Sequence, residues 1–83
     1  MGGRMNAFYE RVHNLCERKG LTHSEVAASI GISEVTFSRY LNLERIFSLT
    51  AYMAMCCLLE VPAEVLYRTY IQARLKKGEG QCQ

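Results

Sequence analysis

The stretch from Glu25 to Asn42, "EVAASIGISEVTFSRYLN", keeps apolar residues at helical spacing on both sides of a glycine, Gly31. Val26, Ala27 and Ile30 form one apolar face before it, and Phe37, Tyr40 and Leu41 form another after it. A single continuous helix would be the easier solution, so the interruption has a geometric purpose. Thr22 and Glu25 have the S/T-x-x-E spacing of a capping box, in which each side chain accepts from the other residue's backbone amide. They start a helix that Gly31 stops after about two turns, at a tight turn where a side chain would oppose a positive φ. Ser33 then supplies the N-cap oxygen of a second helix. Ala27 is small where the two helices cross, and Ile32, Phe37 and Tyr40 anchor the second helix against the first. The expected unit is two short helices held across a turn, with the second projecting from the body.

The flanking sequence completes an all-α domain. From Asn6 to Lys19, Phe8, Val12 and Leu15 fall at i, i+4 and i+7 and make one buried stripe, with Glu10, Arg11, Glu17 and Arg18 outside it. Gly20 behind Arg18–Lys19 is a helix stop, a left-handed cap preceded by cations that suit the negative helix end. Ser48 caps a fourth helix with Leu49, Tyr52, Met53, Cys56 and Leu59 as its expected inner face. Pro62 suits the opening of a fifth, which is expected to end near Lys77 before Gly78. Hairpin signals such as Asn-Gly are absent from the sequence. These readings place one domain at residues 5–77, with residues 1–4 and 78–83 as disordered ends.

Composition narrows the class. Eighty-three residues support one domain at most, and 49% hydrophobic with 22% charged residues is a globular composition, not a disordered one. No apolar run reaches the length of a membrane helix, and the start "MGGRMNAFYE" lacks the apolar centre of a signal peptide. The net charge is +2; all eight acids are glutamates spread along the chain, while bases gather at Arg18–Lys19 and at Arg74, Lys76 and Lys77. The four cysteines, Cys16, Cys56, Cys57 and Cys82, have no C-x-x-C spacing and read as thiols of an intracellular protein. His13 and Cys16 share a helix face, but a structural zinc site needs four ligands and no second pair is spaced to complete it. No metal site, no cofactor and no catalytic constellation is expected, and Cys56, Cys57, Met53 and Met55 read as packing residues.

A short helix, a glycine turn and a second projecting helix make a helix-turn-helix, whose second helix fits a DNA major groove. The residues "LTHSEVAASIGISEVTFSRYLN" resemble the phage Cro/repressor-type, or Xre-like, helix-turn-helix family, and the likeness runs from about Phe8 to Leu66. Phe8, Arg11, Val12 and Leu15 match its first helix; Val26-Ala27, Ile30-Gly31-Ile32-Ser33 and Thr36-Phe37-Ser38-Arg39 match the core motif; Ser48-Leu49 through Leu58-Leu59, Val61 and Val65-Leu66 match its last two helices. The resemblance implies a five-helix lambda-repressor-like domain, here with an extended fifth helix. His23 stands where the family often has glutamine, and Leu41 and Leu43 stand where an acid and a glycine are usual.

On the third helix, inward Phe37, Tyr40 and Leu41 leave Glu34, Val35, Ser38, Arg39 and Asn42 on the outer arc. By resemblance Ser33, Glu34, Val35, Ser38 and Arg39 face bases. Arg39 suits the O6/N7 edge of a guanine, Glu34 a cytosine amine and Val35 a thymine methyl. His23, Ser24, Asn42 and Arg45 are placed to touch phosphates, aided by the positive end of the second helix. The plainer readings are a solvated arginine for Arg39 and capping or loop solvation for Ser24. The expected function is sequence-specific binding of double-stranded DNA at a palindromic operator. The chain would act as a homodimeric, cytoplasmic transcriptional regulator: a repressor of a phage, plasmid or mobile element, or an antitoxin-type autorepressor with a toxin or antirepressor as protein partner. Tyr67, Tyr70, Ile71 and Arg74 form the expected dimer stripe; family members also pair through the fourth helix and its neighbouring loop. The alternative is a helical protein-interaction module that keeps the fold without DNA binding, which Glu34 and the low net charge favour.

Overall fold

Side-chain caps start four of the five helices. The computed structural model describes residues 6–81, with side chains described for residues 6–76. Helix α1 (Ala7–Lys19) begins on Asn6, whose side chain accepts from the Tyr9 amide and whose Nδ2 donates to the Leu41 carbonyl at 3.0 Å. Helix α2 (His23–Ser29) has the full capping box: the Thr22 amide donates to Glu25 Oε1 at 2.9 Å and the Glu25 amide to Thr22 Oγ1 at 3.1 Å. Ser33 caps α3 (Glu34–Leu41), Ser48 caps α4 (Leu49–Leu59), and Pro62 precedes α5 (Ala63–Gln81). There is no strand among the described residues.

Four helix ends share one geometry, a left-handed residue whose amide and whose successor's amide turn back onto the last carbonyls. Gly20 (φ 71) and Gly31 (φ 83) end α1 and α2 this way. Leu43 (φ 65) does so after α3, with the Glu44 amide on the Arg39 carbonyl at 2.9 Å, and Glu60 (φ 56) after α4. A left-handed leucine costs about 1–2 kcal/mol. Leu43 offsets that by burying its side chain in the core.

Helix α1 lies centrally, touching α2, α3, α4 and α5, while α2 packs on α3 and α4 on α5. Phe8, Val12, Val26, Phe37, Leu41, Met55 and Leu66 are almost wholly buried, each contributing about 1.5–3 kcal/mol relative to exposure. An aromatic cluster joins α3, α4 and α5. Phe47 stacks on Tyr40 at 4.3 Å, and edge contacts link it to Phe8, Tyr52 and Tyr70. The Phe47 amide donates to the Tyr70 hydroxyl at 3.0 Å, and the Tyr52 hydroxyl donates to the Ala63 carbonyl at 2.6 Å. Burial and the neighbouring Cys56 push the Tyr52 phenol well up.

Two expectations are corrected. The inner face of α4 is Ala51, Tyr52, Met55, Cys56 and Leu59, whereas Leu49 is 75% exposed, Met53 is 44% exposed and Cys57 faces solvent. The helix carries no charged residue, so both of its faces read as apolar and only packing chooses between them. Helix α5 also continues to Gln81, past the end expected near Lys77. Glycine inside a helix costs about 1 kcal/mol, a penalty and not a stop. Residues 1–5, 82 and 83 lie outside the described residues, Cys82 with them.

Candidate nucleic-acid interface

Helix α3 is held from below by Phe37, Tyr40 and Leu41, all buried, and by α2 through Val26 and Ala27. Its other side is free: Glu34, Val35, Ser38 and Arg39 are exposed, Val35 at 60%. An apolar side chain so exposed among polar neighbours gains nothing from the fold itself. Ser33 stands at the helix start with its hydroxyl already engaged, accepting from the Thr36 amide at 3.1 Å and donating to Thr36 Oγ1 at 3.0 Å. Ser24 on α2 and Arg45 in the α3–α4 loop are exposed. Asn42 is half-buried, with Nδ2 3.4 Å from Ser38 Oγ and a buried Oδ1 that lacks a protein partner.

His23 is not the free phosphate donor that its position suggests. Its ring is half-buried between Tyr9, His13 and Phe37, with edge contacts at 5.8, 5.3 and 5.7 Å. Its Nε2 lies 3.2 Å from His13 Nδ1, and His13 Nε2 lies 3.3 Å from Glu17 Oε2. Burial first and His13 second hold the His23 imidazole below its ordinary value, with Glu34 acting in the opposite direction. The sequence places Glu17 outside the buried stripe of α1 and gives His13 no role. Their link to His23 joins α1 to α2 and has no signal in local spacing.

A helix bundle alone is not specific to one function; the motif at α2–α3 is more so. Residues 8–67 match the helix-turn-helix domain. The chain belongs to that family. The helix-turn-helix domain is a DNA-binding unit of transcription regulators, and its five helices have the all-α lambda-repressor-like arrangement. The chain matches no individual curated protein. Among the described residues, no helix is long and apolar enough to cross a membrane, and no group of three or more His, Cys or Glu side chains could hold a metal ion. Cys16 is buried, which pushes its thiol up.

The expected dimer stripe on α5 of this helix-turn-helix domain is largely consumed by its own core. Tyr70 is only 3% exposed, its hydroxyl accepts from the Phe47 amide and its ring meets Phe8 at 4.8 Å. Ile71 packs partly against the same core, and the Arg74 guanidinium lies over the Tyr70 ring at 5.8 Å. Of the four, Tyr67 alone is largely exposed. The physical reason is that α5 lies along α1 and α4, so aromatic side chains on its near edge fill the space between them.

Proposed function

We propose that this helix-turn-helix domain binds double-stranded DNA sequence-specifically as a homodimer, in the manner of Cro/repressor-type (Xre-like) regulators. In that role it is a small transcriptional repressor of a phage, plasmid or mobile element, or an antitoxin-type autorepressor. The observation that carries the reading is the exposed arc of α3, where Glu34, Val35, Ser38 and Arg39 stand clear of a fully packed underside. Arg39 offers a guanine a bidentate donor pair, Val35 meets a thymine methyl and Glu34 accepts from a cytosine amine. Arg45 and Ser24 flank the arc as backbone contacts, with Ser33 and Asn42 beside them.

The dimer is assigned to α4 and the loop before it. Ile46 (73% exposed), Leu49, Met53 and Cys57 make an uncharged strip on the outer side of α4. Without charges, such a strip meets its own copy across a two-fold axis without like-charge repulsion. Two α3 helices on one face would then read half-sites whose centres are about 34 Å apart.

Selection of the purified full chain on a pool of random duplexes tests this reading. The expected product is an imperfect palindrome with that half-site spacing. A protein-interaction module of the same fold would self-associate and retain no duplex above the non-specific level.

A further inference from the structure

Glu17, His13 and His23 form a hydrogen-bond chain that runs from the surface of α1 to the first residue of α2. Its direction follows from what each group can do. An ionised carboxylate only accepts, so Glu17 Oε2 places the proton of neutral His13 on Nε2, 3.3 Å away. Nδ1 of His13 is then a lone pair, and His23 must donate to it from Nε2 across 3.2 Å. A neutral imidazole has one N–H, and His23 has used it inward. Its remaining nitrogen, Nδ1, is therefore an acceptor. A phosphate oxygen is also an acceptor, so the neutral chain of groups has nothing to offer it.

We infer that His13 and Glu17 are positioning residues that make the backbone contact of His23 conditional on the uptake of one proton. The inference rests on the DNA reading above, in which the start of α2 faces a phosphate. The proton count closes. The neutral pair carries two ring protons, one facing Glu17 and one between the rings. A third proton goes to His23 Nδ1, whether the middle proton then sits on His13 or on His23. The result is an N–H on the ring nitrogen that His13 does not engage and a net positive charge at the start of α2, both suited to phosphate. The reversed chain would set the lone pair of His13 Nε2 against the Glu17 carboxylate, so Glu17 selects the direction.

The other groups around His23 are accounted for. From α1 it meets the Tyr9 ring, and from α3 the Phe37 ring and the field of Glu34, which favours its charged form. Glu25, on α2 itself, is held by the Thr22 amide. Burial between the rings and the nearness of His13 favour the neutral form of His23 in the free protein. DNA binding and proton binding then assist each other by linkage.

The chain contains two histidines, so imidazole nitrogen NMR of the labelled full-length protein resolves the pair. At pH 8, without DNA, both rings are expected as the Nε2–H tautomer; a His23 ring protonated on Nδ1 overturns the inference. Affinity for the selected duplex is then measured from pH 5 to pH 8. Wild-type affinity is expected to fall as pH rises, approaching tenfold per pH unit for each half-site, the limit for one proton taken up by each protomer. His23→Gln, which supplies a permanent N–H donor, should lack that component and bind at pH 8 at least as tightly as wild type. Glu17→Gln frees the direction of the chain, because an amide donates as well as accepts, and should flatten the slope without touching DNA; Glu17 is exposed, so the fold is not at risk. Equal slopes in wild type, Glu17→Gln and His23→Gln overturn the inference while leaving DNA binding intact. If no duplex is bound at any pH, this inference and the DNA reading fall together.

Discussion

At the scale of single residues, two arginines should behave differently although both are exposed. Arg39 sits on the outer arc of α3 and Arg45 in the following loop. Arg39→Ala is expected to lose about 1–3 kcal/mol at the preferred duplex and to relax preference at one base pair per half-site. Arg45→Ala should weaken binding to all duplexes alike and reduce the salt dependence by about one counterion per half-site. Fluorescence anisotropy on matched and mismatched duplexes at several salt concentrations separates the two; equal losses on every sequence for both variants would remove Arg39 as a reader. His23 gives a stability prediction for the free protein. Burial and His13 lower its folded pKa below 6.5, so the neutral form is favoured by folding. Its contribution is complete above pH 6.5 and is lost as pH falls from there through the folded value, where the unfolded chain has taken up a proton that the folded chain resisted. Urea unfolding at a series of pH values should show this decline in wild type and a smaller one in His23→Gln.

At the scale of elements, the helix ends separate what spacing reveals from what it hides. Gly20 and Gly31 announce their left-handed turns because glycine adopts them without strain. Leu43 and Glu60 adopt the same turn and give no local sign of it. Leu43 is held there by burial, and Glu60 by the close of α4, where its carboxylate meets Lys19 Nζ at 2.7 Å and is lowered by that partner. The α3–α4 connection depends on a further tie, the Phe47 amide on the Tyr70 hydroxyl. Tyr70→Phe keeps the ring but strands that buried amide. It is expected to destabilise the fold by about 1–3 kcal/mol, measured by chemical denaturation. An unchanged midpoint would mean that the hydroxyl carries no structural role.

At the scale of the whole molecule, α1 joins the two halves, touching α2 and α3 on one side and α4 and α5 on the other. The DNA-facing pair is thereby fixed relative to α4, so that a dimer through α4 sets the distance between two recognition helices. Leu49→Glu and Met53→Glu place charge on an exposed strip, which leaves the folded monomer undisturbed while opposing its pairing. Both should shift sedimentation towards monomer and weaken binding to a palindromic duplex more than to a single half-site. Dimers that persist in both variants would move the interface elsewhere, with the exposed Tyr67 edge of α5 as the next surface to test.

The Asn6 cap of α1 emerged only in the structure. The helix-turn-helix, the caps at Thr22, Ser33 and Ser48, and the buried underside of α3 were all legible in the chain, because each depends on residues within about one or two helical turns of one another. The same holds for the exposed arc with Arg39: once Phe37, Tyr40 and Leu41 point inward, helical geometry leaves no other place for it. The inner face of α4 was decided only in three dimensions, since an uncharged helix offers two equally apolar sides and α1 and α5 select one. Tyr70 became core in place of interface for the same reason. Glu17 and His13 are an i,i+4 pair within α1, but the step from His13 to His23 belongs to the tertiary structure: it crosses between helices, and hydrogen-bond direction exists only once donors and acceptors are brought within reach.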